Sequence, residues 1–357
     1  MSGDESLISS SNLFSLIHEE FKCFSDGSLR DSLGHFQTVW KVIDFQRWWL
    51  AFESHAGIPL GRKLMNAATD QEEYFLNESS LLDLGWFMKK KRIHSTLLKR
   101  WRTMGWGLYS YKHNTIFSHL HAPVCSGFAL ATLEIIRARR FKVQWRQVSN
   151  IQIQLETDDD IRSISLAPKP PIFCWDSIQS NVEPIQGHGL SLDLQRNEYG
   201  WSHSAEQSFI LPVGVLQRLF ESVHMQGLQI SSEADSWEFP EDFNTSHSLS
   251  LRLSSLAMNE MVSLSERPIY IQNLESWNQL AEAHLKPFGL GSFVKVRSLD
   301  EQGGVEFELP PSPLLPLTIG LLIAFWQRGF GRKAKVKMEL KNGNWAFQIT
   351  SFLAYVV

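Results

Sequence analysis

Two similar stretches decide the fold of this chain: PVCSGFALATLEIIRARRFKV at residues 123–143 and PLTIGLLIAFWQRGFGRKAKV at residues 316–336. Proline, glycine and alanine recur in the same order, and Pro316 stands 193 residues after Pro123 (316 − 123). Apolar residues recur in both at the spacing of one helix face, and proline suits the first turn of a helix. Each stretch therefore predicts a helix that packs closely on a sheet.

Both predicted helices run into segments that alternate between apolar and polar residues. Such alternation predicts two strands joined by a turn. The second turn is Asn342-Gly343, which is among the strongest short-range signals for a β-hairpin. The apolar positions of the two hairpins are Phe141, Val143, Trp145, Ile151, Ile153 and Leu155 in the first and Val336, Met338, Leu340, Trp345, Phe347 and Ile349 in the second.

The similarity extends toward the beginning of each half. Phe52-Glu53-Ser54 ends one predicted helix and Phe220-Glu221-Ser222 ends another, an offset of 168 (220 − 52). Gly105-Trp106-Gly107 matches Gly289-Leu290-Gly291 at an offset of 184 (289 − 105). The growing offset indicates insertions in the second copy of a tandem duplication.

We therefore predict an α/β fold of the α+β type, with two related modules that each pack an antiparallel sheet against helices. The first module covers residues 16–157 and the second, more diverged module covers residues 185–357. The linker at 158–184 contains an acidic run and the proline-rich Pro168-Lys169-Pro170-Pro171. Two unrelated α/β domains are the alternative interpretation.

Composition limits the class of protein. With 357 residues, 43% of them hydrophobic, the chain can fill two cores, and a net charge of −4 argues against nucleic-acid binding over the whole surface. The most apolar window, 314–326, is too short for a membrane span. Three scattered cysteines and an N-terminus without a secretory signal predict a cytoplasmic protein.

The order of predicted elements resembles the 4-vinyl-reductase-like domain family over residues 16–157. The residues that carry the resemblance are Gly61-Arg62, Gly105-Trp106-Gly107, and Pro123-Val124-Cys125 with Gly127. The second copy has Leu290 in place of the tryptophan and Thr318 in place of the cysteine, so its site is expected to have degenerated. The resemblance implies a sensor or carrier domain that is often paired about a two-fold axis. The zinc-binding cysteine cluster of some family members has no match here.

A non-enzymatic protein that binds a small apolar or amphipathic molecule or a lipid is therefore the leading hypothesis. Its two modules would form a pseudo-dimer within one chain, with the pocket in the first copy. Aromatic side chains at helical spacing line apolar pockets or fill cores, and both roles stay open. The candidate ligand-binding residues are Trp48, Trp49, Phe52, Trp106, Cys125 and Phe128.

Basic residues suggest a second interpretation. Seven of the 14 residues at positions 89–102 are lysine or arginine, and another basic group surrounds residue 140. A solvated helix face explains such a run, and so does a surface for nucleic acid, phosphate or an acidic head group. The candidate anion-binding residues are Lys89, Lys90, Lys91, Arg92, Arg139 and Arg140.

Motifs for catalysis are missing from the sequence, which has no Walker A, GxGxxG, HExxH, CxxC or GxSxG pattern. His119 and His121 are expected on one face of a strand end beside Cys125, where either a weak metal site or an exposed strand end explains them. We predict no metal and no cofactor. Whether the protein is an enzyme stays open, and a nucleic-acid-associated regulator and an enzyme or chaperone of tetrapyrrole metabolism are the alternative functions.

Overall fold

A computed structural model describes residues 10–85, 88–163, 166–176, 183–185, 192–224, 237–241, 243–265 and 268–353. Over these residues the fold is α/β, with helices packed on antiparallel sheets. The predicted fold class is confirmed.

The first half of the chain begins with a helix and three short strands and ends with a helix and a hairpin. Its elements are α1 (Ser10–Glu20), β1 (Lys22–Cys23), β2 (Leu29–Arg30), β3 (Phe36–Lys41), α2 (Val42–Ala56), α3 (Gly61–Glu78), α4 (Lys89–Met104), β4 (Leu108–Ser110), β5 (Thr115–Phe117), α5 (Ala122–Arg137), β6 (Phe141–Gln147) and β7 (Gln152–Asp159).

The second half has the same order from its first strand onward, with one added strand. Its elements are β8 (Leu194–Asn197), β9 (Gly200–His203), β10 (Glu206–Pro212), α6 (Val213–His224), β11 (Trp237–Glu238), α7 (Thr245–Leu264), α8 (Glu275–His284), β12 (Lys295–Ser298), β13 (Val305–Leu309), α9 (Leu315–Phe330), β14 (Ala334–Lys341) and β15 (Asn344–Ser351).

Each half carries a small sheet with the same strand order. The first sheet is β4-β5-β7-β6, and the second is β12-β13-β15-β14 with β11 added at its edge. Helices α5 and α9 precede the two hairpins as predicted. Lys341 pairs with Asn344, so Asn342 and Gly343 form a two-residue turn, and both have the positive φ that a type I′ turn requires.

The register of the first internal match differs from the sequence prediction. Helix α2 begins at Val42 and α6 at Val213, an offset of 171 (213 − 42) rather than 168. A helix presents nearly the same face again after three residues, so a three-residue shift preserves the apolar pattern. The offset of 184 is confirmed: Trp106 N–H donates to the Trp101 carbonyl, and Leu290 N–H donates to the Leu285 carbonyl, each at 3.0 Å.

A central six-stranded sheet joins the halves in the order β1-β2-β3-β10-β9-β8. Strands β3 and β10 are antiparallel, with Val39 opposite Ile210. Above this junction α2 packs on α7 of the second half, and α6 packs on α3 of the first. The halves therefore meet through equivalent elements, as two subunits do across a two-fold axis.

Two glycines let equivalent helix pairs approach closely. A Cβ on Gly127 of α5 would lie 2.3 Å from the Met65 carbonyl oxygen of α3, and a Cβ on Gly320 of α9 would lie 2.7 Å from the Ser255 carbonyl oxygen of α7. The first distance leaves no room for alanine, and the second is nearly as tight. These contacts match α3 with α7 at an offset of 190 (255 − 65).

The segment predicted as a linker is partly built into the fold. Strand β7 continues through Asp158 and Asp159 and pairs there with β6. Farther along, Phe173 and Trp175 are buried, and the Trp175 carbonyl accepts hydrogen bonds from Ser312 N–H and the Trp345 indole of the second half.

Asp176 follows this buried aromatic pair. Burial raises the pKa of Asp176 to about 7, although the Phe173 N–H and the Gln217 side-chain amide donate hydrogen bonds to its Oδ2 and lower it. Its Oδ1 is buried with no hydrogen-bond partner in the described structure. The neutral carboxyl is therefore the form that this site favours at acidic pH.

We expect Asp176 to make the fold less stable as the pH rises. Because its pKa is raised above the ordinary 3.8, its contribution is fully present below that value and is lost as the pH passes through 7. Asp176→Asn stays neutral, so its free energy of unfolding should fall less between about pH 5 and pH 8, by roughly 2–4 kcal/mol. Urea unfolding at both pH values measures this, and equal pH dependence in the two proteins would contradict it.

Candidate functional site

The six residues predicted to bind a ligand lie in the core of the first half. Each is at most 1% exposed: Trp48, Trp49, Phe52, Trp106, Cys125 and Phe128. None of the six side chains lines any of four of the best-defined pockets in the described part of the chain. These four pockets give no support to a ligand cavity around the six residues, and their role as ligand-binding residues stays a prediction.

Trp106 shows how tightly this core is filled. Its ring stacks on Phe128 with centroids 3.7 Å apart, and its indole N–H donates to the Ile210 carbonyl of β10 at 2.9 Å. The guanidinium of Arg100 lies over the rings of Trp106 and Phe75 and makes a two-pronged ion pair with Glu72. Trp106 thus closes the space between α4, α5 and the central sheet.

Cys125 is a buried thiol in the first turn of α5. Burial raises its pKa to about 12, although hydrogen bonds to the Ser118 hydroxyl and the backbone lower it. The thiol is therefore protonated at neutral pH and is a poor nucleophile.

The basic candidates divide into two groups. Arg139 forms an exposed ion pair with Asp159, and Arg140 pairs with both Glu73 and Glu134. Each of these arginines therefore has an acidic partner within the chain, and their anion-binding role stays a prediction. Lys89, Lys90, Lys91 and Arg92 are exposed on the first turn of α4, and their anion-binding role stays a prediction.

His119 and His121 do not share a strand face, because β5 ends at Phe117. His119 is exposed beside the Tyr199 ring, whereas the His121 ring packs on Trp49 with ring centroids 5.4 Å apart. Burial lowers the pKa of His121 to about 4, so its imidazole is neutral at physiological pH.

The second half has a pocket at the place that Trp106 fills in the first. Leu290 is the equivalent of Trp106 at the offset of 184, and it lines this pocket. Val39 lines the pocket too. At the offset of 171 (210 − 39), Val39 is the equivalent of Ile210, whose carbonyl accepts the hydrogen bond from the Trp106 indole. We call this space the junction pocket.

Trp106 and four residues around it have shorter equivalents in the second half. The offsets 184, 190 and 193 match the residues as follows: Trp106 with Leu290, Arg100 with His284, Glu72 with Val262, Phe75 with Ser265, and Phe128 with Leu321. All five second-half residues line the junction pocket. Five positions on its wall therefore carry shorter side chains than in the first half, whereas Met258 and Phe325 are longer than their equivalents Ala68 (258 − 190) and Thr132 (325 − 193).

The junction pocket has a volume of about 60 Å³ and opens to the surface. One water needs roughly 10–15 Å³ by a comparable measure, so there is room for several non-hydrogen atoms. Its walls come from both halves and are mainly apolar; they are Val39, Trp40, Met258, Met261, Val262, Ile269, Phe288, Leu290, Leu321 and Phe325, with Lys41, Asp44, Ser265 and His284 as polar members.

Two of the polar members carry opposite charges and lie at the start of α2. The Lys41 ammonium pairs with Glu206 on the neighbouring strand, and the Asp44 carboxylate lies 3.7 Å from the Arg47 guanidinium. Sequence reasoning missed this pocket because it placed the site in the copy with the tryptophan. The available signal was Leu290 itself, a smaller residue at a repeated position.

No protein-family model, curated protein or solved structure matches the chain. The resemblance to the 4-vinyl-reductase-like family stays a prediction. None of the described helices combines the length and apolar character needed to cross a membrane. Within the described residues, no three His, Cys, Asp or Glu side chains are grouped closely enough to hold a metal ion.

We expect Trp106→Ala to destabilise the protein by about 3–5 kcal/mol, because it removes a buried ring from a filled core. The partly exposed Trp145 on β6 is the matched control, and its change to alanine should cost less. Urea unfolding measures both values. A loss below about 1 kcal/mol for Trp106→Ala would show that its surroundings are loosely packed.

Proposed function

We propose that the protein binds a small apolar or amphipathic molecule in the junction pocket and works as a sensor or carrier rather than as an enzyme. The observation that carries this proposal is that Leu290 and four side chains around it are shorter than their equivalents in the filled space around Trp106. A cavity of this kind costs stability unless something occupies it. A ligand would recover the lost contacts.

The lining supports a molecule with one apolar and one polar end. Aromatic rings, leucines and the flexible side chains of Met258 and Met261 gain from burying apolar surface. Lys41 and Asp44 can orient a polar group at the start of α2, and their own ion pairs keep them in place. Binding therefore needs no reactive side chain.

The position of the pocket suits a sensor. Its walls combine β3 and α2 of the first half with α7 and α9 of the second, so an occupant would contact both halves. If the occupant bound one arrangement of the two halves more tightly than another, its binding would raise the population of that arrangement.

Leu290→Trp tests this proposal by placing in the second half the residue that fills the first. We expect 1-hexanol to raise the midpoint of thermal unfolding of the wild type in a saturable way, since a ligand that binds only the folded state stabilises it. Leu290→Trp should lose this effect. Leu340→Trp, at an exposed position on β14, is the matched control and should keep it.

The stability of the unliganded variant gives a second measurement. A tryptophan that fills an existing pocket should leave the free energy of unfolding unchanged or raised, whereas overpacking a closed core costs about 1–3 kcal/mol. Saturable stabilisation by hexanol that is the same in Leu290→Trp and the wild type would contradict the proposal. So would its absence in the wild type.

A further inference from the structure

The two small sheets differ at one edge. In the second half, β11 pairs in parallel with the outer edge of β14, with Trp237 opposite Val336 and Glu238 opposite Lys337. In the first half, β6 is the equivalent strand, and no strand among the described residues pairs with its outer edge. The chain therefore covers one of two equivalent edges with a segment of its own.

The connection between helices explains this difference. Helix α2 ends at Ala56 and α3 begins at Gly61, which leaves a link too short to carry a strand. Helix α6 ends at His224 and α7 begins at Thr245, and β11 lies within that longer link. The insertion in the second half supplies the added strand.

Two residues of the equivalent edges are of the same type, whereas Lys337, which stands opposite Glu238, matches Gln144 (337 − 193). At the offset of 193, Lys142 matches Lys335 and Val143 matches Val336. Lys335 pairs with Glu238 of the added strand at 2.9 Å. Lys142 is exposed in the same position on β6. The open edge of β6 thus carries a lysine at the position where, on the covered edge of β14, a lysine pairs with an acidic residue of the added strand.

An arginine on the neighbouring helix also recurs. Arg252 of α7 donates to the carbonyl of Trp237 in the added strand at 2.9 Å. Its equivalent at the offset of 190 is Arg62 of α3 (252 − 62). Arg62 donates instead to the Val143 carbonyl at 2.7 Å, directly on the edge of β6. The same donor is present in both halves, and only the carbonyl it reaches differs.

We infer that the outer edge of β6 binds an extended peptide as an added parallel strand. The peptide would carry an aromatic residue followed by an acidic one, as Trp237-Glu238 does in the second half. Its main chain would pair with β6, its acidic residue would reach Lys142, and Arg62 would move from the Val143 carbonyl to a carbonyl of the peptide. Strand addition of this kind takes its affinity from main-chain hydrogen bonds and its specificity from side chains.

Charge favours such a partner. Lys142 and Arg146 are exposed on β6. Arg146 already pairs with Glu156 of β7 at 3.8 Å, and Asp158 stands opposite Lys142. Arg62, itself stacked 5.0 Å from the Trp145 ring, adds a third cation beside the edge. Lys142 and Arg62 at the edge therefore favour an acidic residue on the peptide over a basic one.

The peptide EADSWEFP, residues 233–240 of this chain, is a direct probe when labelled with fluorescein. Fluorescence anisotropy with the full-length protein should show saturable binding. Lys142→Glu should weaken it about threefold to tenfold, since attraction becomes repulsion at an exposed pair. The peptide EADSWKFP should reverse this order and bind Lys142→Glu better than the wild type.

Two further variants separate the competing explanations. Arg62→Met should weaken binding about tenfold, as expected for a lost charged hydrogen bond, and tighter binding would show that Arg62 blocks the edge and would overturn the inference. Lys335→Glu is the matched control at the covered edge. If Lys335→Glu rather than Lys142→Glu weakens binding, the peptide displaces β11 and the inference is wrong. Absence of binding to the wild type overturns it as well.

Discussion

The antiparallel pairing of β3 with β10 is the contact on which the rest of the structure depends. It places Val39 opposite Ile210 and makes one continuous sheet from two halves. Once these strands pair, the helix that follows each of them, α2 or α6, lies on a helix of the other half. The chain thus obtains within one molecule the isologous contact that a symmetric dimer makes between two.

Because both halves contribute to the central sheet, side chains beside it can differ in one half while those of the other half still fill the equivalent space. Around Trp106 the space beside the central sheet is filled by stacked rings and a buried ion pair. Around Leu290 the equivalent elements carry five shorter side chains, and the junction pocket lies there. The same contrast appears at the sheet edges, where β11 covers one equivalent edge only.

The sequence predicts the parts of this fold that local patterns specify. Helices α5 and α9, the hairpins after them and the Asn342-Gly343 turn all follow from spacing and turn chemistry. The predicted match of α2 with α6 was wrong by three residues, because a helix presents nearly the same face again after three residues. The role of Trp106 was not decidable from sequence, since an apolar stripe looks the same in a core and in a pocket. Likewise, the correspondence of Arg62 with Arg252 becomes visible only when the glycine contacts fix the offset of α3 and α7.

The central claim is that equivalent spaces in the two halves are filled in one and open in the other. Xenon enters apolar cavities without needing any specific contact, so a crystal structure of the protein under xenon pressure tests this claim most directly. We expect a xenon atom among Leu290, Leu321 and Met258, and none between Trp106 and Phe128. Xenon beside Trp106, or no xenon in the junction pocket, would contradict it.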